Sequence, residues 1–181
     1  MSIIVKIDPL KEVLKNIPNT TGLLWEKMNL LEKQLLKIEG AVHHKVGEPQ
    51  EEDLKEIFPL EQKIEGGLYT RHLFARKGSL FLSMIHKQQH PSFLLKGEIS
   101  YLTDEGKILR IKAPHKVFTQ IGAQRVFYAH EDCEWCCVYR TDAKTFEEAE
   151  LDIYTQNYKE LPKEIIIKNE KLCQELGQGQ Y

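Results

Sequence analysis

Residues 78–97 read GSLFLSMIHKQQHPSFLLKG, and this stretch decides the fold class. It contains two runs rich in apolar and aromatic residues, 79–86 and 92–95, and a polar break that ends in His90-Pro91 lies between them. Runs of this length with turn residues at their ends are typical of β-strands. The stretch therefore predicts two consecutive strands joined by a turn.

The same pattern continues from residue 66 to residue 141. Turn residues such as Gly66-Gly67, Lys96-Gly97 and Ala113-Pro114 separate the runs, and no helical pattern lies between them. Eight short strands with such punctuation predict a mainly β domain, either a sandwich or a barrel whose closure removes exposed sheet edges. The predicted strands are 68–74, 79–86, 92–95, 98–102, 108–112, 117–120, 125–130 and 134–140.

Helical patterns precede this block. Asp8-Pro9 is a good helix start, and Pro18 ends that helix. A second helix carries an apolar stripe of about two heptads. The stripe either lies on its own barrel or pairs with a second subunit, and its surplus apolar surface predicts a homodimer. Its members are Leu24, Met28, Leu31, Leu35 and Ile38.

The block is followed by a helical tail. Thr145 is a cap for one helix, and Pro162 opens a second helix in which 165–167 are three consecutive isoleucines that cannot all face one side. We therefore expect three parts: a helical N-terminal arm and linker over 1–60, a β-barrel over 61–144 and a helical C-terminal tail over 145–181. His43-His44 lies in the polar linker, where we expect solvated side chains.

Composition limits the possible partners. A chain of 181 residues with 41% hydrophobic content supports one ordinary core, and a net charge of -2 argues against nucleic acid or an anionic membrane as a partner. No long uncharged apolar run is present and residues 1–15 do not resemble a signal peptide, so we expect a soluble, cytoplasmic protein. Cys133 and Cys136 fall within one predicted strand on opposite faces, which favours packing thiols over a redox or zinc pair.

Five residues of this stretch are spaced as in the motif of a known family: Gly78, Met84, His86, His90 and Gly97. Their spacing is that of the first cupin motif, Gly-x5-His-x-His-x3-Glu-x6-Gly. Met84 stands where the motif has its first histidine, His86 stands at the second, and His90 replaces the glutamate. The spacing is kept, while only His86 keeps its ligand identity.

The second cupin motif is matched poorly, because Thr119 falls where its histidine should be. Residues 66–141, and 113–135 above all, nevertheless resemble small cupins found in bacteriophage and bacterial genomes. In that group histidines also occur near the positions of Gln62 and Tyr139. The resemblance implies a cupin-type antiparallel β-barrel (jelly roll) and a phage-encoded protein, and it implies no settled activity.

Metal chemistry is one hypothesis for the barrel mouth. Met84 and His86 share a strand face with Leu80 and Leu82, so we expect all four inside the barrel, with His90 close to His86. Two imidazoles and a thioether favour Zn, Cu or Fe(II), and His86 and His90 are the candidate metal ligands. Two histidines are one ligand short of a robust site. The alternative is a half-buried His86 satisfied by a carbonyl or a tyrosine.

Ligand binding is the other hypothesis. Arg71 and His72 lie on opposite strand faces, so only one of them can enter the barrel, and Arg71 inside would bind an anion. Arg125 has the same two alternatives. The candidate ligand-binding residues are Tyr69, Arg71, Met84, His86, Arg125 and Tyr139.

Two functions follow, and we favour the first. The first is a non-catalytic module that binds or sequesters a small ligand, an anion if an arginine enters the barrel. The second is a metal-dependent cupin enzyme of the isomerase or dioxygenase type that uses His86 and His90. A purely structural protein that assembles through its helices is a third possibility.

Overall fold

A computed structural model describes residues 5–6, 24–37, 39, 41–50, 52–103 and 107–178. The strands are β1 (Val5–Lys6), β2 (Leu60–Glu65), β3 (Leu68–Ala75), β4 (Ser79–Leu82), β5 (Ile85–His86), β6 (His90–Lys96), β7 (Glu98–Leu102), β8 (Ile108–Lys112), β9 (His115–Thr119), β10 (Val126–Ala129), β11 (Cys133–Arg140) and β12 (Tyr154–Thr155). The α-helices are α1 (Leu24–Leu35), α2 (Glu52–Ile57), α3 (Phe146–Ile153) and α4 (Lys163–Gln178).

The strands form two five-stranded antiparallel sheets. The first has the order β1-β4-β10-β7-β8 and the second has the order β2-β3-β11-β6-β9. The chain passes back and forth between the sheets, which is the arrangement of a double-sheet jelly roll. The fold prediction is confirmed, and each of the eight predicted strands has a counterpart.

Glycine conformations support the motif spacing that predicted the fold. Gly78 and Gly97 both have φ near +85°, at +84° and +86° respectively. A side chain at Gly97 would also contact the Asp132 carbonyl oxygen, because the turn between β6 and β7 lies against the start of β11. Both turns therefore favour glycine.

The predicted strand 79–86 is interrupted, and this corrects one expectation. β4 ends at Leu82 and β5 begins at Ile85, so alternation does not carry through from Leu80 to His86. Leu80 and Leu82 pack outside the barrel in a cluster with α1, while Phe81 belongs to the cluster between the sheets. Placing Leu80 and Leu82 inside the barrel was wrong, because the break changes which face points inward.

Three further strands, β1, β2 and β12, were missed by the sequence patterns. β2 pairs with β3, and its inward positions include the polar Gln62, which conceals the alternation. β12 in the tail pairs with β5, so that Tyr154 lies opposite His86. The tail therefore lies beside the part of the barrel that contains the motif histidine.

α1 packs on its own barrel. Its Met28, Leu31 and Leu35 side chains are buried and share one hydrophobic cluster with Leu80 and Leu82 of β4. The described part of the stripe therefore lies on its own barrel. Ile38 and the predicted helix after Asp8 lie outside the described residues. The stripe no longer supports the homodimer, which stays a prediction.

The tail begins as its sequence predicted. Thr145 and Glu148 form a capping box at the start of α3, and α4 begins directly after Pro162. Ile165 and Ile166 pack against a small cluster that contains Ile85, whereas Ile167 is 62% exposed. None of the helices in the described ranges has the length and apolar character needed to cross a lipid bilayer.

Candidate functional site

A cavity of about 70 Å³ lies between the two sheets. Its polar lining residues are Arg71, Ser83, His86, Ser92, Thr119, Arg125, Cys137 and Tyr154, and its apolar lining residues are Leu73, Phe81, Met84, Phe127 and Trp135. A single water needs roughly 10–15 Å³ on this measure, so the cavity can hold several waters or one small ligand.

Strand registers divide this lining into a polar layer and an apolar layer. In the second sheet, Arg71, Cys137 and Ser92 lie side by side across three strands. The next inward positions along the same strands are Leu73, Trp135 and Leu94. Inward residues repeat every second position along a strand, so polar and apolar residues lie at successive depths.

The first sheet repeats this division. The backbone N–H of Ser83 donates to the Arg125 carbonyl at 2.8 Å, and the Arg125 N–H donates to Ser83 Oγ at 3.0 Å. Two residues further along, Phe81 lies opposite Phe127 and their rings stack with centroids 5.0 Å apart. Both sheets therefore place the polar groups at one end of the cavity and aromatic groups at the other.

Arg71 enters the barrel and is held by an internal ion pair. Its Nη1 donates to Glu150 Oε1 at 2.6 Å, and its guanidinium lies 5.3 Å from the Tyr154 ring centroid. Glu150 is only 3% exposed, and its other carboxylate oxygen lies 2.9 Å from His44 Nε2. Burial alone would raise the Glu150 pKa, but the hydrogen bond from His44 and the charge of Arg71 hold it below its usual value.

His44 corrects the expectation of solvated linker histidines. It is 4% exposed, because the linker folds back over α3 and brings its ring to Glu150. His72, the neighbour of Arg71, faces away from the cavity and contacts Glu134 at 3.2 Å. Alternation along β3 thus separates Arg71 from His72, as the sequence predicted.

Arg125 lies on the wall of the same cavity as Arg71. Its Nη1 donates to Thr119 Oγ1 at 3.4 Å, and its guanidinium lies 5.3 Å from the Tyr101 ring centroid. Thr119 Oγ1 is 3.2 Å from Ser92 Oγ, so the hydroxyls form a short polar row beside the guanidinium. Arg125 is 9% exposed, which places a cation at the cavity wall in a largely desolvated setting.

His86 and His90 are adjacent and neutral. Their ring centroids are 4.6 Å apart, and His90 Nδ1 donates to the Gln88 carbonyl at 3.1 Å. No hydrogen-bond partner among the described residues reaches His86 Nδ1 or His90 Nε2. Burial lowers the pKa of His90 to about 4. Burial, followed by the charges of His90 and Arg125, holds the His86 pKa well below its usual value.

The remaining candidate residues divide between the wall and the layer behind it. Met84 lies on the cavity wall together with Arg71, His86 and Arg125. Tyr69 and Tyr139 are buried in an aromatic cluster beside the cavity, where Tyr139 Oη is 2.7 Å from Tyr154 Oη and Gln62 donates to Tyr69 Oη at 2.5 Å. The structure thus brings four of the six predicted ligand-binding residues to the cavity, and their role in binding stays a prediction.

The donor set does not fit a catalytic metal centre. Such a centre normally has three protein ligands. Within the described ranges, no group of three or more His, Cys, Asp and Glu side chains could hold an ion. Thr119 lies beside His90 in the register of β6 and β9, at the position where a third imidazole would have to come from. The positive charges that lower the His86 pKa also oppose a bound cation.

Several lining residues, and Glu150 as the partner of Arg71, were missed by sequence reasoning. Cys137 and Trp135 share the inward face of β11 with Tyr139, so extending the alternation from Tyr139 would have found them. Phe81 was concealed by the break after Leu82. Glu150 and Tyr154 come from the tail, and no sequence signal linked them to a barrel residue.

The comparison with known proteins finds solved structures with a similar arrangement of strands. Neither a protein-family model nor a curated protein matches the chain. Solved structures that match include a cupin 2 domain-containing protein from Halorhodospira halophila, with 14% identity, coverage of 54% of this chain and 72% of that chain, and a TM-score of 0.42.

Two further solved structures are similar at the same level. The cupin_2 domain of an XRE family transcriptional regulator from Enterobacter cloacae has 9% identity over 48% of this chain and 99% of that chain, with a TM-score of 0.41. An acetylacetone dioxygenase from Acinetobacter johnsonii has 18% identity over 46% of this chain, with a TM-score of 0.40. The match spans 59% of the dioxygenase, less than two thirds of its length. These similarities do not indicate which ligand this chain binds. The fold is assigned from the strand order of the two sheets.

Proposed function

We propose that the barrel cavity binds one small anion and does not convert it. The observation that carries this proposal is that two buried guanidinium groups, those of Arg71 and Arg125, lie on the wall of one cavity. A guanidinium presents several N–H donors in a fixed planar geometry, which suits carboxylates and similar oxyanions.

The electrostatics of the cavity support an anion. Arg71 has its counter-charge in Glu150, so its charge is largely balanced within the protein. The charge of Arg125 nevertheless contributes to the low pKa of His86, as does that of Arg71. The potential at the cavity wall is therefore positive, and an anion gains from it in a setting of low dielectric constant.

Binding without turnover is supported by the state of the reactive groups. Burial raises the pKa of the Cys137 thiol, and its sulfur lies 3.5 Å from Ser92 Oγ. A protonated thiol is a poor nucleophile. The two imidazoles have low pKa values, so they are weak bases. The two imidazoles are one ligand fewer than a catalytic metal centre normally has.

Calorimetric titration of the full chain with acetate, inorganic phosphate and sulfate tests the proposal. We expect one-to-one binding of at least one of these anions. Arg125→Gln should weaken it by about tenfold to a hundredfold, the equivalent of losing a charged hydrogen bond. Arg110→Gln is the matched control, because Arg110 is an exposed arginine on β8 that pairs with Glu98. The absence of binding by all three anions, or equal affinities for the two variants, would refute the proposal.

A further inference from the structure

We infer that the outer face of the second sheet packs against the same face of a second copy of this chain, about a two-fold axis that runs along β11. The cavity lies on the inner face of the same sheet, so this contact is separate from the proposed anion site. It adds a partner to a chain whose proposed function concerns only its interior.

Strand alternation identifies the residues of this outer face. Arg71, Ser92, Thr119 and Cys137 line the cavity, so the residues before and after each of them point outward. Lys116 Nζ lies 5.9 Å from the Phe118 ring centroid, which agrees with a shared outer face on β9. The apolar side chains on this face include Pro91, Phe93, Phe118 and Val138.

The two outer faces of the sandwich differ in what covers them. The outer face of the first sheet shares a hydrophobic cluster with α1. No hydrophobic cluster among the described residues contains Phe93, Phe118 or Val138. Phe118 is 54% exposed, and Leu95, which follows the buried Leu94 on β6, is 47% exposed. A solvated sheet face normally carries polar residues, so apolar residues on this one indicate a contact with another protein surface.

One row of residues across this face carries opposite charges at its two ends. The strand registers place five residues side by side from β2 to β9, namely Glu61, His72, Cys136, Phe93 and Lys116. The row therefore begins with a carboxylate on one edge strand and ends with an ammonium on the other. Its middle residue lies on the central strand, β11.

A two-fold axis along β11 brings the opposite charges together. A rotation of 180° about this axis lays the second sheet of one copy on that of the other, with β2 above β9. Glu61 of each copy then faces Lys116 of the other, so the pair occurs twice in the contact. Lys63, which pairs with Glu65 in its own chain, brings its alkyl stem to the ring of Phe118. The strands of the two sheets stay aligned, which is a common way for sheets to stack.

Charge disfavours the other simple two-fold arrangement. An axis parallel to the row would lay each Glu61 on its own symmetry mate and each Lys116 likewise, with no attractive pair to offset them. The axis along β11 has one contact between like charges, at Glu134. His72 lies 3.2 Å from the Glu134 carboxylate, so a proton on this imidazole balances that charge. The axis along β11 is therefore the electrostatically favoured one.

Sedimentation equilibrium of the full chain tests the surface. We expect a dimer in the micromolar range. Phe118→Glu should weaken the dimer by about a hundredfold or more, because it buries a charge in the apolar part of the contact. Phe118 is more than half exposed in the single chain, so this change should leave the fold intact. Ile167→Glu is the matched control, because Ile167 is 62% exposed on α4.

Charge reversal tests the axis. Glu61→Lys places lysines opposite each other at both ends of the contact, and Lys116→Glu places carboxylates there. Each single variant should raise the dissociation constant of the dimer by about tenfold, and the double variant should return it to within about threefold of wild type. Within one chain the two residues are four strands apart, roughly 19 Å at the usual strand spacing, so a rescue reports a contact between copies.

Each other outcome contradicts the inference. A wild type that stays monomeric throughout the micromolar range would refute the contact. A dimer that Phe118→Glu leaves unchanged would place the contact on another surface. Dissociation by Phe118→Glu without rescue by the double charge reversal would refute the axis along β11.

Discussion

Two buried arginines face the same cavity, and their surroundings differ. Arg71 on the second sheet donates to Glu150, which is itself bonded to His44, so this charge belongs to a network that joins linker, barrel and tail. The contacts of Arg125, beside the first sheet, include the Thr119 hydroxyl and the Tyr101 ring. The comparison teaches that burial alone does not identify a ligand-binding cation. The ion pair with Glu150 gives Arg71 a structural role.

The largest expected effect comes from removing the counter-charge of Arg71. Glu150→Gln leaves a buried guanidinium without its carboxylate, and breaking such a pair costs about 3–5 kcal/mol of unfolding free energy. Urea unfolding followed by circular dichroism measures it. Glu147→Gln on the same helix is the control. A loss below about 1 kcal/mol in Glu150→Gln would show that Arg71 does not need its pair, which removes the contrast with Arg125.

A second effect concerns the uncharged part of the wall. Met84 is buried and contributes to both the core cluster and the cavity. Met84→Ala should lower the unfolding free energy by about 2–4 kcal/mol, because it removes apolar contacts and enlarges a void that already exists. The same unfolding experiment measures this loss. A near-neutral result would mean that the cavity wall collapses around the missing side chain.

A third effect is a loss of stability in mild acid. The folded-state pKa of His90 is about 4, below the ordinary histidine value of about 6.5, so the unfolded chain binds more protons between these values. This contribution is fully present above pH 6.5 and is lost as the pH falls toward 4. From pH 7 to pH 5, we expect a decrease of about 2 kcal/mol from His90 alone.

Unfolding of wild type and His90→Gln at the two pH values measures this contribution. The variant should lose about 2 kcal/mol less than wild type over this pH range. The lowered pKa of Glu150 affects stability only below about pH 4.5, so it does not interfere in this window. Equal pH dependence in the two proteins would mean that His90 is not buried in its neutral form.

Much of the fold could be predicted from the sequence, because strand alternation and turn residues are local signals. The motif spacing correctly placed His86 inside the barrel, and alternation along β3 correctly predicted that only one of Arg71 and His72 enters it. The break after Leu82 reversed the inward face of β4, and local patterns do not show such a break. Glu150 could not be predicted, because its partners lie 79 and 106 residues away in sequence. The balance of charge at Arg71 is therefore a property of the tertiary structure.

The smallest expected effect is that of added metal. The proximity of Arg125 and the two-imidazole donor set should prevent tight binding, so zinc added at one equivalent should separate from the protein on gel filtration. Elemental analysis of the protein fraction measures it. One zinc retained per chain in wild type and lost in both His86→Ala and His90→Ala would favour a metal site over an anion site.

The roles of the two arginines are tested most directly by calorimetric titration of acetate, inorganic phosphate and sulfate into wild type, Arg125→Gln and Arg71→Lys. Lysine at position 71 keeps a cation for Glu150, so the internal charge balance is retained. We expect Arg125→Gln to weaken the binding of the anion that wild type binds by about tenfold or more, whereas Arg71→Lys changes it by less than about threefold. A loss of binding in Arg71→Lys together with unchanged affinity in Arg125→Gln would contradict the account, because it would make Arg71 the ligand-binding cation.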